Sequence, residues 1–401
     1  MKSNYKKIGE HIRLVDERNA GHKVKTLLGL SISKQFIPSV ANIIGTDMEN
    51  YKIIRKNQFA CSTMQVRRDK KMPVALLQEV DEAMISQAYP IFEVTNSSEL
   101  LPEYLMMWFT RQEFDREACF YAIGGVRGSL EWEDFCDMKL PIPKPDKQKE
   151  IVKEYNIIIT RIALNNQLIQ KLEETAQAIY KQWFVDFEFP NEEGNPYKSS
   201  GGEMEMNLEL EKEIPKGWKV DCLSGIATYL NGLAMQNYSS ETSEYIPVIK
   251  IRELTLGYPD ESSDKAKIDI PKNYVIENGD IIFSWSGTLK IEIWAGGKGG
   301  LNQHLFKVTS KKFEKWFYYL WTNFHLQEFI RIAAGKAVSM GHIKREHLDE
   351  AKVIVPTKVQ LEKMNQLMNP IFISITNYKI ERKQLLNISN LLLSKLATIE
   401  N

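Results

Sequence analysis

This chain of 401 residues has few cysteines, no long apolar run and no excess of either charge sign. The four cysteines, Cys61, Cys119, Cys136 and Cys222, form no C-x-x-C pair, which argues against a disulfide framework and a zinc knuckle. No window of about 18 uncharged apolar residues occurs, so we predict no membrane span. The N-terminus lacks the apolar region of a signal peptide, which favours a cytoplasmic protein. Lys plus Arg number 52 and Asp plus Glu number 52, so only local clusters could attract a polyanion.

The common signatures of catalysis are also missing. The chain has no G-x-x-x-x-G-K-[ST] phosphate loop, no G-x-S-x-G elbow, no H-E-x-x-H zinc motif and no methyltransferase motif. Residues 296–300, GGKGG, precede a strand-like run and not a helix, so we predict a turn there. His342 and His347 do not have metal-binding spacing, and we predict a solvated helix face. We therefore predict no catalytic residue and no metal site in this chain.

Two long heptad patterns are the strongest positive signal in the sequence. Apolar residues recur at alternating steps of four and three in residues 151–183 and, 213 positions later, in residues 364–396. A 3.5-residue repeat over more than four heptads is typical of helices that supercoil around each other. Two helices that pack separately on globular domains remain the alternative, and Pro370 is expected to bend or delay the start of the second helix. The predicted interface positions are Ile151, Tyr155, Ile158, Ile162, Asn165, Ile169, Leu172 and Ile179, then Ile371, Ile375, Tyr378, Leu385, Leu392 and Leu396.

The segments that precede the two helices also resemble each other. Residues 140–143 resemble residues 353–356, which lie 213 positions later. Weaker similarities between the two halves extend upstream, where loop insertions change the offset. Short β-like runs and helix-like stretches alternate in both halves, so we predict two similar α+β domains with an internal repeat. The predicted order is a first domain (1–147), a first long helix (148–189), a flexible acidic linker (190–212), a second domain (213–358) and a second long helix (359–401).

One loop in each half follows a strand-like run and carries the residue types of a nucleic-acid contact. Lys and Arg suit phosphate oxygens, whereas Ser, Thr, Gln and His suit base edges. A glycine-rich segment in each half could add backbone N–H groups for a phosphate. The alternatives are solvated charged loops, buried structural glutamines and plain turns before a helix. The DNA-binding candidates are Ser62, Thr63, Arg67, Arg68, Lys70, Lys71, Gln87 and Arg127, then Ser284, Ser286, Lys290, Gln303, His304, Lys336 and Ser339.

Four segments carry a family resemblance that covers nearly the whole chain. They are AIYKQWFVDFEFP (178–190), EIPKGWKV (213–220), GDIIFSWSGTLK (279–290) and GLNQHLFKV (300–308). With the duplicated order of domain and helix, they make the chain similar to the specificity (S) subunit of type I restriction-modification systems. The first domain is less typical, since Cys61-Ser62-Thr63 stands where the second domain has its Ser-Trp-Ser-Gly run.

The resemblance implies a recognition role without catalysis. Each domain would be a target recognition domain that reads one half of a bipartite site in double-stranded DNA, and the helices would pair antiparallel as spacers. Methyltransferase subunits, two of them, would dock along the helices, and a translocase-nuclease subunit is a further candidate partner. S-adenosylmethionine, ATP and Mg²⁺ would be cofactors of those partners, with none in this chain. The competing hypothesis is a duplicated-domain assembly scaffold that does not read DNA.

Overall fold

The computed structural model describes residues 5–39, 48–64, 66–122, 128–335 and 341–399. The chain divides into two compact units, which we call unit 1 (Met1–Thr160 with Leu386–Asn401) and unit 2 (Arg161–Leu385). Both unit boundaries lie within the long helices, whereas the sequence-based boundaries separated the helices from the domains. The difference arises because each unit packs one part of each long helix into its own core.

Unit 1 is built around a four-stranded antiparallel sheet with the strand order β2-β9-β6-β7. Phe59 on β6 and Phe92 on β9 stack at 4.9 Å between ring centroids, in a core that α2, α3 and α4 cover. The elements that begin in this unit are β1 (Tyr5–Lys7), β2 (Ile12–Val15), β3 (Leu28–Leu30), β4 (Phe36–Pro38), β5 (Lys52–Arg55), β6 (Gln58–Cys61), α1 (Val66–Asp69), β7 (Val74–Leu76), β8 (Glu82–Ile85), β9 (Ile91–Val94), α2 (Pro102–Thr110), α3 (Gln112–Tyr121), α4 (Trp132–Asp137), β10 (Lys139–Pro141) and α5 (Pro145–Tyr180).

One of the helix-like stretches of the first half, residues 102–121, is two helices and not one. Arg111, between α2 and α3, has an extended backbone with φ −66° and ψ 143°. Its guanidinium lies 4.1 Å from the centre of the Trp108 ring and is buried there. This stacking of a cation on an indole is a tertiary contact, so helix periodicity alone could not predict the break.

Unit 2 has a four-stranded antiparallel sheet in the corresponding order, β14-β21-β18-β19. Phe283 on β18 and Phe306 on β21 occupy the places of Phe59 and Phe92, with 6.2 Å between their centroids. The elements that begin here are β11 (Met204–Asn207), β12 (Lys212–Pro215), β13 (Lys219–Cys222), α6 (Leu223–Ile226), β14 (Thr228–Asn231), β15 (Ile246–Ile249), α7 (Ile251–Leu256), β16 (Lys265–Ala266), β17 (Val275–Ile276), β18 (Ile281–Ser284), β19 (Lys290–Ile293), β20 (Gly299–Leu301), β21 (Leu305–Thr309), α8 (Lys315–Ala334), α9 (Arg345–Glu350), β22 (Lys352–Val355) and α10 (Lys358–Lys395).

The equal strand order confirms the predicted α+β class and the internal repeat. A two-stranded antiparallel sheet leads into the long helix in each case, β1 with β10 before α5 and β13 with β22 before α10. The two copies therefore share both the central sheet and the connection to the helix.

The expectation of a flexible linker between residues 190 and 212 is wrong. Strands β11 and β12 form a hairpin in this region, with Met204 paired to Pro215. Upstream, Phe189 stacks on Tyr197 at 4.5 Å and on Trp218 at 4.8 Å. The aromatic side chains that flank the polar segment anchor it to the core of unit 2, and its composition does not reveal this anchoring.

The two long helices pair antiparallel, as predicted. In unit 2, Arg161 on α5 donates to both carboxylate oxygens of Glu381 on α10, at 2.8 and 3.1 Å, and the Lys379 ammonium contacts Glu173 at 2.9 Å. In unit 1, the hydroxyl of Tyr155 on α5 lies near the Ser389 hydroxyl on α10. Residue numbers on α10 fall as those on α5 rise, which is the mark of an antiparallel pair.

The heptad positions of both helices lie on their buried or half-buried sides. Asn165 is fully buried at its position, and Ile157 and Leu164, which are off the heptad stripe, are exposed. Helix α10 continues through Pro370 as one helix from Lys358, so it does not start late. The predicted positions that are buried or half-buried are Ile151, Tyr155, Ile158, Ile162, Asn165, Ile169, Leu172, Ile179, Ile371, Ile375, Tyr378, Leu385, Leu392 and Leu396.

None of the helices in the described ranges is long and apolar enough to cross a membrane.

Candidate nucleic-acid interface

Two segments of unit 1 that are far apart in sequence meet beside the end of β6. The backbone N–H of Leu130 donates to the carbonyl of Thr63 at 2.9 Å, and that of Arg67 donates to the carbonyl of Gly128 at 3.2 Å. We call residues 62–64, 66–71 and 128–130 the unit 1 loop pair. Ser62 and Thr63 follow the strand, which ends at Cys61, and are not part of it. Arg67 and Arg68 lie in the short helix α1, where the sequence analysis expected a loop.

The cations of the unit 1 loop pair differ in their surroundings. Arg67, Lys70 and Lys71 are exposed and form no ion pair with another described residue. Arg68 donates to both carboxylate oxygens of Asp69, at 2.7 and 3.1 Å, and this bond lowers the pKa of that carboxyl group. Three of the four predicted cations are thus available to an anion, while the fourth already has a counterion.

The same arrangement recurs in unit 2 at the end of β18. The backbone N–H of Ile343 donates to the carbonyl of Trp285 at 3.0 Å, and that of Gly287 donates to the carbonyl of Gly341 at 2.9 Å. We call residues 284–290 and 341–343 the unit 2 loop pair. Leu130 and Ile343 are equivalent, as are Gly128 and Gly341, because both pairs keep the offset of 213 between the two halves.

Trp285 is the centre of the unit 2 loop pair. Its indole N–H donates to the side-chain oxygen of Asn231, the last residue of β14, at 2.9 Å. The rings of His304 and His342 lie 6.0 and 6.2 Å from the indole. The tryptophan therefore fixes two imidazoles that come from different parts of the chain.

Ser286 contacts both histidines, through its side chain and through its backbone. Ser286, which is buried, hydrogen-bonds to Nδ1 of His304 at 2.9 Å, and no described residue bonds to its other ring nitrogen, Nε2. His342 pairs with Ser286 in an isolated β-bridge and precedes α9. The prediction that His342 lies on a solvated helix face is wrong, because the residue joins the loop pair. His347 does lie in α9, where its Nδ1 accepts from the N–H of Lys344.

Three further candidates of unit 2 are engaged within the protein. Ser284 was expected to contact DNA, but it is fully buried and donates to the carbonyl of Ser286 at 3.1 Å, so it supports the loop from inside. Lys290 contacts Glu292 at 2.9 Å. Gln303 is half-buried and accepts from the side-chain amide of Asn302 at 2.7 Å.

The remaining candidates lie away from these contacts or outside the described residues. Gln87 is exposed in the turn after β8. Arg127, Lys336 and Ser339 belong to the glycine-rich segments and fall outside the described ranges. The structure therefore brings together the first part of each predicted loop with the last part of each glycine-rich segment.

Sequence reasoning missed Asn231, Asn302 and the role of His342. Asn231 ends a strand that precedes Trp285 by more than fifty positions, and only the pairing of β14, β21 and β18 brings the two together. The one sequence signal for this contact was the polar residue at the end of each strand. Strand ends at one edge of a sheet lie close in space, so such residues can meet there.

The loop pairs present hydroxyl, imidazole, amide and cationic groups, which can bind phosphate oxygens and base edges. In the described parts of the chain, no three His, Cys, Asp or Glu side chains could hold a metal ion together. The four cysteines are free, and burial raises the pKa of the Cys61, Cys119 and Cys136 thiols, which disfavours the reactive thiolate.

Gly128 provides a test of the unit 1 loop pair. Its φ is +73°, and a Cβ at this position would lie 2.8 Å from Cβ of Arg67. We expect Gly128→Ala to lower the free energy of unfolding by about 1–3 kcal/mol, because the strained backbone and the collision add together. Urea unfolding of the full-length chain measures the change.

The matched control is Gly21→Ala in the same unit. Gly21 has a φ of +75° with no atom within 4 Å of the added Cβ, so it reports backbone strain alone. A Gly128→Ala variant no less stable than Gly21→Ala would show that Arg67 does not pack against Gly128 in solution.

Comparisons with known proteins agree with these observations. A family model described as the type I restriction modification DNA specificity domain matches residues 41–174 and 215–387. The specificity subunit of the type I restriction enzyme MjaIX from Methanocaldococcus jannaschii is 27% identical over 307 residues, which cover 74% of this chain and 68% of that protein. The HindI specificity subunit from Haemophilus influenzae is 25% identical over 151 residues, 37% of this chain and 32% of that protein.

A solved structure shows the same fold. The S subunit of a type I restriction-modification system from M. genitalium superposes with a TM-score of 0.57 at 14% identity, covering 100% of this chain and 98% of that one. Because the family model matches well over half of the sequence in two copies, this chain belongs to the type I restriction-modification DNA specificity family.

Proposed function

We propose that this chain is the non-catalytic subunit that gives a type I restriction-modification complex its DNA sequence specificity. The observation that supports this most directly is the duplicated loop pair, formed by equivalent backbone hydrogen bonds at the same sheet edge of each unit. Two copies of one recognition surface suit a DNA target with two separate halves.

Each loop pair offers contacts of two kinds. In unit 1, the exposed Arg67, Lys70 and Lys71 suit phosphate oxygens, and the hydroxyls of Ser62 and Thr63 suit base edges. In unit 2, Nε2 of His304 is the group best placed for a base edge, because Ser286 fixes the ring through Nδ1. A side chain fixed in this way loses little conformational entropy on binding.

The long helices would set the half-site spacing and dock the methyltransferase subunits. Both helices expose apolar side chains away from their heptad stripe, which include Ile157 and Leu391 in unit 1 and Leu164 and Ile373 in unit 2. These side chains are available for burial under a partner subunit. The internal repeat supports two such partners in equivalent positions.

In this proposal the partner subunits carry out the chemistry. A methyltransferase subunit would use S-adenosylmethionine, and a translocase-nuclease subunit, where present, would use ATP and Mg²⁺. This chain would recognise the DNA sequence to which both activities are directed.

Mapping of methylated adenines tests the proposal. The chain is co-expressed with the methyltransferase subunit in a methylation-free host, and modified adenines are mapped by single-molecule sequencing. We expect a split motif with a constant gap that disappears when this chain is omitted. Methylation that does not depend on this chain, or an assembled complex that shows no sequence preference, would favour the assembly scaffold.

His304→Ala tests whether each unit reads one half of the target. Since one direct base contact contributes about 1–3 kcal/mol of discrimination, we expect relaxed specificity in one half of the motif only. His22→Ala is the control, because His22 is an exposed imidazole outside both loop pairs. Changes in both halves would contradict separate reading by the two units, and no change in either half would show that His304 contacts no base.

A further inference from the structure

Unit 2 contains a cavity of about 730 Å³ at the end of its central sheet. Its wall includes Thr228 at the start of β14, Thr309 at the end of β21, and the segment 310–312 that follows β21. Four lysines line it, namely Lys272, Lys307, Lys311 and Lys312. The volume is within the range of small-molecule binding sites.

The charge of this lysine cavity is largely uncompensated. Among the described residues that line it, none is Asp or Glu. Only Lys307 has a carboxylate partner, Asp280 at 2.7 Å, while Lys312 reaches a backbone carbonyl, that of Gly225, at 3.5 Å. Lys272 and Lys311 are exposed and form no ion pair within the described residues.

Unit 1 shows that the fold does not require these lysines. The matching strand pairs place Glu93 on β9 where unit 2 has Lys307 on β21. Glu93 and Lys307 are 214 positions apart. The same offset of 214 places Ser97 and Ser98 where unit 2 has Lys311 and Lys312. The same sheet end thus forms with an acidic and neutral set of side chains, so the exposed Lys311 and Lys312 are not required by this fold, whereas Lys307 also holds Asp280 and the carbonyl of Val275.

The lysine cavity is separate from the unit 2 loop pair. Strand β14 begins with Thr228 at the cavity and ends with Asn231, which holds Trp285. Strand β21 begins beside His304 and ends with Thr309 at the cavity. The two sites therefore occupy opposite ends of the same strands, roughly 10–14 Å apart along a four- or five-residue strand.

We propose that the lysine cavity binds a phosphate-bearing ligand through its ammonium groups and the hydroxyls of Thr228 and Thr309. Ammonium and hydroxyl donors that line one cavity match the acceptor oxygens of phosphates. None of the described lining residues is aromatic, so the cavity recognises phosphate groups and not a stacked base. A free oligophosphate and the phosphodiester backbone of a DNA duplex present the same chemistry.

Binding of tripolyphosphate to the full chain, measured by isothermal titration calorimetry, is the first test. The variant Lys311→Ser with Lys312→Ser introduces the residues that unit 1 carries at these places, so its fold should persist. If the ligand is a free oligophosphate, we expect the variant to bind tripolyphosphate at least about tenfold more weakly. The control Lys267→Ser with Lys298→Ser removes two exposed lysines that do not line the cavity, and its affinity should change less than twofold.

The second test separates the DNA source. If DNA backbone phosphates are the ligand, the serine variant should change how the assembled complex binds a duplex that lacks the target motif. The slope of log affinity against log salt concentration should be smaller by about two than in the wild-type complex. An equal loss in the control variant would overturn the proposal, as would a poly-glutamate peptide that binds as tightly as tripolyphosphate. The absence of any effect of the serine variant on both probes would overturn it as well.

Discussion

Replacing Lys379 by methionine should lower the free energy of unfolding of unit 2 by about 3–5 kcal/mol, the range found when one partner of a buried ion pair is removed. The Lys379 ammonium is buried and lies 2.9 Å from carboxylate oxygens of both Glu173 on α5 and Glu292 on β19. Glu292 also contacts Lys290 at 2.9 Å. Methionine has a similar shape but no charge, so the two carboxylates would lose their shared counterion.

The pH dependence of the free energy of unfolding of the same variant is a second test of this ion pair. Although burial opposes charge at Glu292, the neighbouring lysines hold the pKa of this carboxyl below its usual range. A lowered pKa contributes stability that is present above the ordinary pKa of about 4.3 and is lost as the pH falls through the folded value. The carboxylates in turn raise the pKa of Lys379, so its contribution persists through neutral pH and disappears only in strong alkali.

Urea unfolding from pH 3 to pH 8 measures both effects. The difference between wild type and Lys379→Met should be largest near neutrality and should shrink as the pH falls below about 4. Lys363→Met is the matched control, because Lys363 lies on the same helix with an exposed side chain. A Lys379→Met variant as stable as this control at pH 7 would show that the charge network contributes nothing net.

Alanine at Arg67, Arg68, Lys70 and Lys71 together should weaken DNA binding by the assembled complex about 100-fold at 150 mM salt. Three of these side chains are free to contact phosphates, and each contact adds about 0.9 to the slope of log affinity against log salt concentration. We therefore expect the slope to fall by about 3, and not by 4, since Arg68 is already paired with Asp69. Fluorescence anisotropy over a range of salt concentrations measures the slope.

Assembly with the methyltransferase subunit should be unchanged in this variant, because none of the four residues lies on α5 or α10. A control with alanine at Lys23, Lys25, Lys56 and Lys139 removes the same charge from exposed positions of unit 1 outside the loop pair. Equal losses in both variants would mean that net charge alone matters, and intact DNA binding in the first variant would favour the scaffold hypothesis.

The sequence predicted the duplicated architecture well because its signals are local and periodic. The heptad pattern extends through Asn165, and a fixed offset links residues 151 and 364 without any knowledge of tertiary contacts. The short β-like runs of both halves were also recognised from local patterns of apolar residues, and the runs before Trp285 and around Phe306 are paired strands of unit 2.

The details that failed depend on contacts between distant residues. Composition made the segment before Trp218 resemble a linker, yet two aromatic rings anchor it. His342 was interpreted from its neighbours in sequence, whereas its position is set by a bridge to Ser286. Arg111 interrupts a helix because a tryptophan ring is close enough to hold its guanidinium.

The discontinuity of unit 1 has a consequence for how the chain folds during synthesis. Leu393 and Leu396 belong to the same core as Ile8 and Phe92, so this core joins residues from opposite ends of the sequence. Unit 2 is one continuous stretch, and all of its residues have left the ribosome before Leu393 is available. Because domains fold as their residues emerge, unit 1 can pack most of this core, which lies within residues 8–142, before unit 2 is made, but it gains Leu393 and Leu396 only after all of unit 2 has been made. Unit 1 is therefore the first unit to begin folding and the last to receive all of its core residues.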